Sequence, residues 1–256
     1  GRHMTSGEIL KIHGLCKHFG GIAAVDNVSL QVRTGELHAV IGPNGAGKTT
    51  LVNLLSGDLP PSSGSILFRE RDITKVLPER RSRLGIGRSY QKTNIFLGFT
   101  VLENCRLAAQ SRAPRPLNWW RDAASYGDEM ERARRALAAV ELAGRADEIA
   151  LALSHGEQRQ LELAICLATE PQLLLLDEPL AGMGTEESQK MVGLIGRLVD
   201  THAILLVEHD MDAVFQLAGV LTVMVNGKVL ATGAPAEIRA NREVQNAYLG
   251  NSDKIS

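Results

Sequence analysis

Apolar residues fall along this chain in two patterns. Short apolar runs of strand length occur at Leu37–Ile41, interrupted only by His38, and at 173–176 and Ala203–Val207. Such runs predict strands buried on both faces, as in a parallel sheet with layers above and below it. From 9 to 32 the pattern is mostly strand-like, with Val25, Val28, Leu30 and Val32 partly alternating. Further strands are predicted at 64–68 and 86–91, separated by a polar turn at 69–72 and a basic helix at Pro78–Leu84. Residues 221–229 read as a strand pair around an Asn226-Gly227 turn. Helical spacing predicts helices at 100–109, 128–142, 187–198 and 236–249, and another opening at Leu153. The picture is a single domain over 5–256. A β lobe and α/β core occupy about 7–91 and 156–235, a helical lobe is inserted over about 92–155, and a C-terminal helix spans 236–249.

Composition narrows the class. Of 256 residues, 44% are hydrophobic and 22% charged, an ordinary globular balance. A formal net charge of -1 offers no basic surface for nucleic acid, so no nucleic-acid partner is expected. No apolar run approaches the roughly 18 residues of a membrane span. Gly1-Arg2-His3-Met4 reads as a tag remnant with Met4 as native start, and no secretory signal is visible. Cys16, Cys105 and Cys166 have neither zinc nor disulfide spacing and read as free thiols of a reducing compartment.

The candidate chemistry gathers at Gly42-Pro43-Asn44-Gly45-Ala46-Gly47-Lys48-Thr49-Thr50, which fits G-x-x-x-x-G-K-[ST] without gaps. It lies between a predicted buried strand and a predicted helix, the context in which glycine-freed backbone N–H groups wrap a polyphosphate. Lys48 is expected to reach the β- and γ-phosphates and the Thr49 hydroxyl to ligate Mg2+. Four leucines run directly into Asp177-Glu178-Pro179. A strand that delivers an Asp beside a phosphate loop suits Mg2+, and Glu178 can polarise the attacking water.

Other residues carry two readings each. Phe19 stacks on a purine or fills a core. Gln91 binds metal or water through its amide, or caps a loop. Ser154 and Glu157 form an S-x-x-E capping box, while the same glycine-bearing helix tip, with Gly156, can meet an anion. His209 follows a buried strand, where open α/β sheets bind ligands, or is structural. Trp119-Trp120 face a partner or fill a gap in the helical lobe.

In order and spacing these motifs resemble the ATP-binding subunits of ABC transporters, over about 9–249. The phosphate loop is shared by many NTPases; the Leu153-Ser154-His155-Gly156-Glu157-Gln158 signature between it and the acid-ended strand is specific to this family. Glu208-His209-Asp210-Met211 and the ending 234–250 resemble the branched-chain (hydrophobic) amino-acid uptake group. The resemblance implies a RecA-like phosphate-loop α/β core with an antiparallel β lobe and an inserted helical lobe. It implies that Phe19 stacks on adenine, that Gly42 to Thr50 hold ATP, and that Gln91 senses Mg2+ and the membrane partner. Asp177 then supports Mg2+, Glu178 is the general base, and His209 is the switch at the γ-phosphate. Ser154 and Gly156 contact ATP held by a second cassette.

The implied partners are that second subunit, transmembrane permease subunits and, indirectly, an extracytoplasmic solute-binding protein. The implied location is the cytoplasmic face of the inner or plasma membrane, peripherally. Two departures stand out: His155 and Glu157 within the usual L-S-G-G-Q, and Gly184 where many relatives carry Asp. Urea or short-amide uptake is the sibling alternative, and Ser154-His155-Gly156 resembles that subgroup. A soluble ABC ATPase acting on nucleic acid or ribosomes is opposed by the single cassette without heptads. A phosphate-loop kinase or GTPase is opposed by the signature helix and His209.

Overall fold

The computed structural model describes residues 7–89, 95–112 and 122–249. Two sheets organise them. The first is antiparallel, in the order β2-β1-β4-β5, built from β1 (Glu8–Phe19), β2 (Ile22–Arg33), β4 (Ser63–Phe68) and β5 (Arg71–Asp72). The second, in the order β10-β9-β3-β8-β7-β6, contains β3 (Leu37–Ile41), β6 (Ile86–Ser89), β7 (Leu173–Asp177), β8 (Ala203–Val207), β9 (Val220–Val225) and β10 (Lys228–Gly233). From β6 to β9 neighbours run parallel; β10 returns antiparallel on the edge.

The apolar runs follow from this placement. Leu174 and Leu176 of β7 enter one core while Leu173 and Leu175 enter another, and β8 divides in the same way. With both faces covered, alternation still exists but both sets of positions are apolar, up to the terminal Asp177 of β7. On one side lie α3 (Val101–Arg112), α4 (Asp122–Ala139), α5 (His155–Ala168) and α6 (Thr185–Leu198). On the other lie the antiparallel sheet and α1 (Lys48–Ser56), through Leu51, Val52, Leu54 and Leu55. Residue 155, where the helical lobe was expected to end, is the first of α5, which packs on α3 and α4 and also along β6.

Several local expectations are corrected. The polar turn expected at 69–72 is only Arg69 and Glu70, both at positive φ; Arg71 and Asp72 pair with Phe68 and Leu67 as β5. The single helix expected at 236–249 is two, α8 (Pro235–Ala240) and α9 (Arg242–Leu249). Asn241 separates them in an extended conformation, and its side-chain oxygen accepts from Glu243 N at 2.9 Å and Val244 N at 3.2 Å. An Asn that caps a new helix stops the old one. The basic helix α2 (Pro78–Leu84) matches its expected bounds, with proline opening it and left-handed Gly85 closing it. Gln91, Trp119 and Trp120 lie outside the described residues, as do Gly1 to Met4.

The buried thiols have a direct consequence. Cys105 and Cys166 are buried, and burial pushes each thiol up to about 12. Thiolate is the reacting form. Of the three cysteines, only partly exposed Cys16 is therefore expected to be alkylated within minutes in the folded protein, and all three in urea, as counted by mass spectrometry.

Candidate nucleotide site

Parallel pairing aligns the carboxyl ends of β3, β8 and β7: Val40 is opposite Val207, and Val207 opposite Asp177. The loops leaving these ends therefore converge, and ligands of open α/β sheets bind at such ends.

The loop from Gly42 to Gly47 leaves β3 and opens α1 at Lys48. Its crest, Asn44 and Gly45, is exposed, while Gly42, Ala46 and Lys48 are buried, and Pro43, Gly47 and Thr50 are partly so. Two glycines are demanded by what lies behind them. A Cβ on Gly47, which sits at φ 94°, would stand 2.2 Å from the Ala24 carbonyl of β2. One on Gly42 would stand 2.1 Å from the Met224 carbonyl of β9. The loop is also tied to the β9–β10 turn: Gly227 N donates to Ala46 O at 3.0 Å, and Asp26 N to Gly227 O at 2.8 Å. That turn is the expected Asn-Gly hairpin, with φ of 49° at Asn226 and 78° at Gly227.

Lys48 Nζ donates to Gly42 O at 2.5 Å and Pro43 O at 3.0 Å, so its cation sits inside the loop. Burial lowers its pKa from the usual lysine value; nearby Glu178 and Asp177 oppose that. Thr49 is exposed at the helix start, and its side chain is among the neighbours that favour the Asp177 carboxylate. Asp177, only 4% exposed, ends β7, with Arg88 Nη2 of β6 at 3.8 Å. Burial is the main reason its carboxyl is pushed up from the ordinary range; Arg88 pulls it back, Glu178 adds to the push, and Lys48 and Thr49 oppose it. Two acids thus share one buried lysine, and a hydroxyl and a carboxylate meet at the mouth. This donor set of hard oxygens, short of positive charge, fits a triphosphate with a divalent cation.

The raised carboxyl has a sign. In the folded chain Asp177 keeps its proton to higher pH than in the unfolded one, so stability falls as pH rises through the ordinary aspartate range and the cost persists at neutrality. Asp177→Asn, which keeps an acceptor for Thr49, is expected to melt higher by ~2–4 °C without ligand, for a gain of about 1 kcal/mol. It is expected to lose magnesium-dependent hydrolysis. Differential scanning fluorimetry and phosphate release check the two halves.

Glu178 adopts φ 49°, left-handed backbone that a non-glycine residue rarely takes, directly before a proline. Its N–H donates to Val207 O at 2.8 Å, which ties the strained residue to β8. Its carboxylate lies 3.7 Å from His209 Nδ1. His209 is exposed, between the end of β8 and α7 (Met211–Leu217), whose first turn Asp210 caps through Ala213 N at 3.1 Å. The ring is exposed and lies between two carboxylates, Glu178 and Glu208, with Nδ1 3.8 Å from Glu208 Oε2.

Phe19 closes β1 with 48% of its surface exposed, which excludes the core reading, and Lys17 Nζ lies 5.3 Å from its ring centroid. Ala24, five residues on, touches Gly47, so this hairpin borders the phosphate loop.

The signature segment is elsewhere on the chain. Ser154 is exposed at the tip of α5 and makes the full capping box: Glu157 N donates to Ser154 Oγ at 3.2 Å, and Ser154 N to Glu157 Oε2 at 2.9 Å. Gly156 is buried, and a Cβ there would stand 2.6 Å from Glu187 Oε1 of α6, so a larger residue would have to displace the Glu187 carboxylate. His155 Nε2 lies 3.3 Å from where a Cβ on Gly182 would sit, which brings the signature against the loop after Pro179. Gly184, in the place where many relatives carry Asp, precedes α6, and its N–H reaches Glu187 Oε2 at 3.4 Å.

Two residues escaped the sequence reading. Arg88 reaches Asp58 Oδ2 at 2.6 Å and Ser56 Oγ at 2.8 Å as well as Asp177. A lone arginine inside a predicted strand was its only signal. Glu208 is 1% exposed, and its signal was an acid placed directly after a buried strand, as Asp177 is.

A glycine loop and acids gathered at strand ends are common to many NTPases. An inserted helical lobe bearing a serine-capped helix tip separates the ATP-binding cassette ATPases from the others, and this chain is one of them. The family model described as ABC transporter matches residues 25–181, and that of the branched-chain amino acid ATP-binding cassette transporter matches residues 228–254. The chain is 39% identical to the high-affinity branched-chain amino acid transport ATP-binding protein LivG of Salmonella typhimurium, over 96% of this chain and 100% of that protein. It is 37% identical to BraF of Pseudomonas aeruginosa, described in the same words, at the same coverage. The solved ADP conformation of MJ1267, an ATP-binding cassette of an ABC transporter, superposes with a TM-score of 0.85 at 29% identity, covering 96% of this chain and 100% of that one. The chain belongs to the branched-chain amino acid transport ATP-binding family of ABC transporters.

Proposed function

We propose that this chain binds and hydrolyses ATP to power an importer of branched-chain or other hydrophobic amino acids. The observation that carries the reading is the convergence of Lys48, Thr49, Asp177, Glu178 and His209 at three adjacent strand ends. The substrate class is supported by the match at 228–254, which lies outside the catalytic motifs.

In this reading, Gly42 to Thr50 hold the phosphates, Lys48 turns its ammonium from the loop carbonyls to the β- and γ-phosphates, and Phe19 stacks on adenine. Thr49, Asp177 and Gln91 would hold Mg2+, which when bound supplies a Lewis acid that offsets charge on the phosphate oxygens. Glu178 takes a proton from water as the water oxygen bonds to the γ-phosphorus; the bond to the ADP oxygen breaks, and ADP and phosphate leave. His209 hydrogen-bonds the γ-phosphate. Exposed Ser154, with Gly156 behind it, completes the site of a second cassette, identical or paralogous, so ATP favours the closed pair by its higher affinity for it.

Among the described residues no helix is long and apolar enough to cross a membrane. The subunit then sits peripherally on the cytoplasmic face of the inner or plasma membrane, coupled to permease subunits and through them to a solute-binding protein. An exposed apolar patch supports this. Phe96, Leu97, Phe99, Ile149 and Leu151 are each 43% exposed or more, and backbone bonds from Leu151 N to Leu97 O at 3.0 Å and from Ala150 N to Phe99 O at 2.9 Å hold them together. Contiguous apolar surface of this kind marks partner contacts. The test is co-expression with branched-chain amino-acid permease subunits: ATP hydrolysis by the complex should be stimulated by amino-acid-loaded binding protein. Leu97→Asp/Leu151→Asp should reduce recovery with the permeases at least tenfold while ATP affinity of the isolated chain changes less than twofold. Stimulation by ribosomes or DNA instead would reverse the assignment.

A further inference from the structure

Between the loop that carries Glu178 and the turn that carries His209 lies a carboxylate with no part in the chemistry so far. Glu208 directly follows β8 and is 1% exposed. Its Oε1 accepts from Leu180 N at 2.9 Å. Its Oε2 accepts from His209 N at 2.9 Å and, at 3.4 Å, from Asp210 N. A buried carboxylate is tolerated when charge-assisted hydrogen bonds replace its lost water; here the hydrogen bonds come from main-chain donors, and the His209 ring adds Nδ1 at 3.8 Å from Oε2. An anchor for one loop would draw them from one segment. This carboxylate gives one oxygen to each of two functional loops, two residues beyond Glu178 on one side and at His209 on the other.

We propose that Glu208 is a positioning residue for ATP hydrolysis, fixing the His209 main chain against the 178–184 loop so that imidazole and base stay in register. The inference rests on the roles given above to Glu178 and His209. The carboxylate directly follows β8, so the 3.7 Å approach of His209 Nδ1 to Glu178 Oε1 is set by main-chain bonds on both sides of the gap as well as by the half-buried Glu178 and exposed His209 side chains. It also makes the setting of His209 depend on Leu180, and hence on the loop that His155 touches at Gly182.

The test is a double-variant cycle on the full chain with ATP and Mg2+, comparing Glu208→Ala, Glu208→Gln, His209→Ala and the paired variants, each with its melting temperature. Glu208→Ala is expected to lower kcat at least tenfold with KM within threefold. Glu208→Gln, which keeps one acceptor oxygen, should recover part of that loss. In the His209→Ala background, removing Glu208 should cost less than threefold, because the group it positions is gone. Losses that multiply fully in the double variant, or a kcat loss matched by a lower folded fraction, would overturn the positioning role. Should Glu208→Ala fail to fold, Glu208→Gln run through the same cycle decides by the same criteria. A silent His209→Ala would overturn the role given to His209 and this inference with it. That outcome is distinct from failure of the tie alone, which leaves His209→Ala costly and the pair multiplicative.

Discussion

Glu178→Gln is expected to slow ATP hydrolysis by about 10²- to 10⁴-fold, the range of a positioned general base, while ATP is still retained. The amide keeps the shape of the carboxylate and leaves Lys48, Thr49 and the glycine loop untouched. It removes an anion that raises the Lys48 pKa, but it also removes negative charge from the neighbourhood of a triphosphate. The bonds that impose the φ of 49° at this position, from its own N–H to Val207 O, are main-chain and survive the change. Equilibrium retention of labelled ATP and the rate of phosphate release, measured on one preparation, check both halves. Turnover at the normal rate would remove Glu178 from the role of base.

Arg81→Met is expected to destabilise the fold by about 3–5 kcal/mol, the scale for stripping a partner from buried charged hydrogen bonds. Arg81 is 2% exposed. Nη1 donates to Leu54 O and Leu55 O, each at 2.8 Å; Nε donates to Val76 O at 2.8 Å and Nη2 to Thr74 O at 3.0 Å. Two of these carbonyls belong to the last turn of α1, whose final carbonyls have no partner within the helix. The guanidinium therefore closes the phosphate-loop helix at its far end. Burial pulls its pKa down to about 10, with Asp58 and Asp72 opposing, so it stays charged at neutral pH. Methionine fills similar space but offers those carbonyls nothing. The shift in urea midpoint at constant slope measures the loss; a shift below about 1 kcal/mol would show that water replaces the guanidinium.

What the sequence disclosed follows from how far each signal reaches along the chain. The strands Leu37–Ile41 and Ala203–Val207 were legible because burial on both faces writes an apolar word, broken in the first only by His38. The phosphate loop was legible because its requirements are local, and α2 because proline and glycine mark its ends. The joint between α8 and α9 was missed because Asn241 is compatible with helix until its cap is seen. Arg81 and Glu208 were opaque for another reason. Their partners lie 26 to 28 positions away as well as nearby, and no spacing rule announces a side chain that serves main-chain groups of another loop. Phe19 shows the same limit: its ring could be placed only once the hairpin was known to end in solvent.

The cradle behind Gly42 and Gly47 is assembled from Ala24, Met224 and Gly227, drawn from both ends of the chain. During synthesis on the ribosome, the motif at 42–50 emerges long before the hairpin that braces it. A nascent subunit thus has the letters of a nucleotide site without its walls, and competence to take up ATP waits until the hairpin around Gly227 has been made.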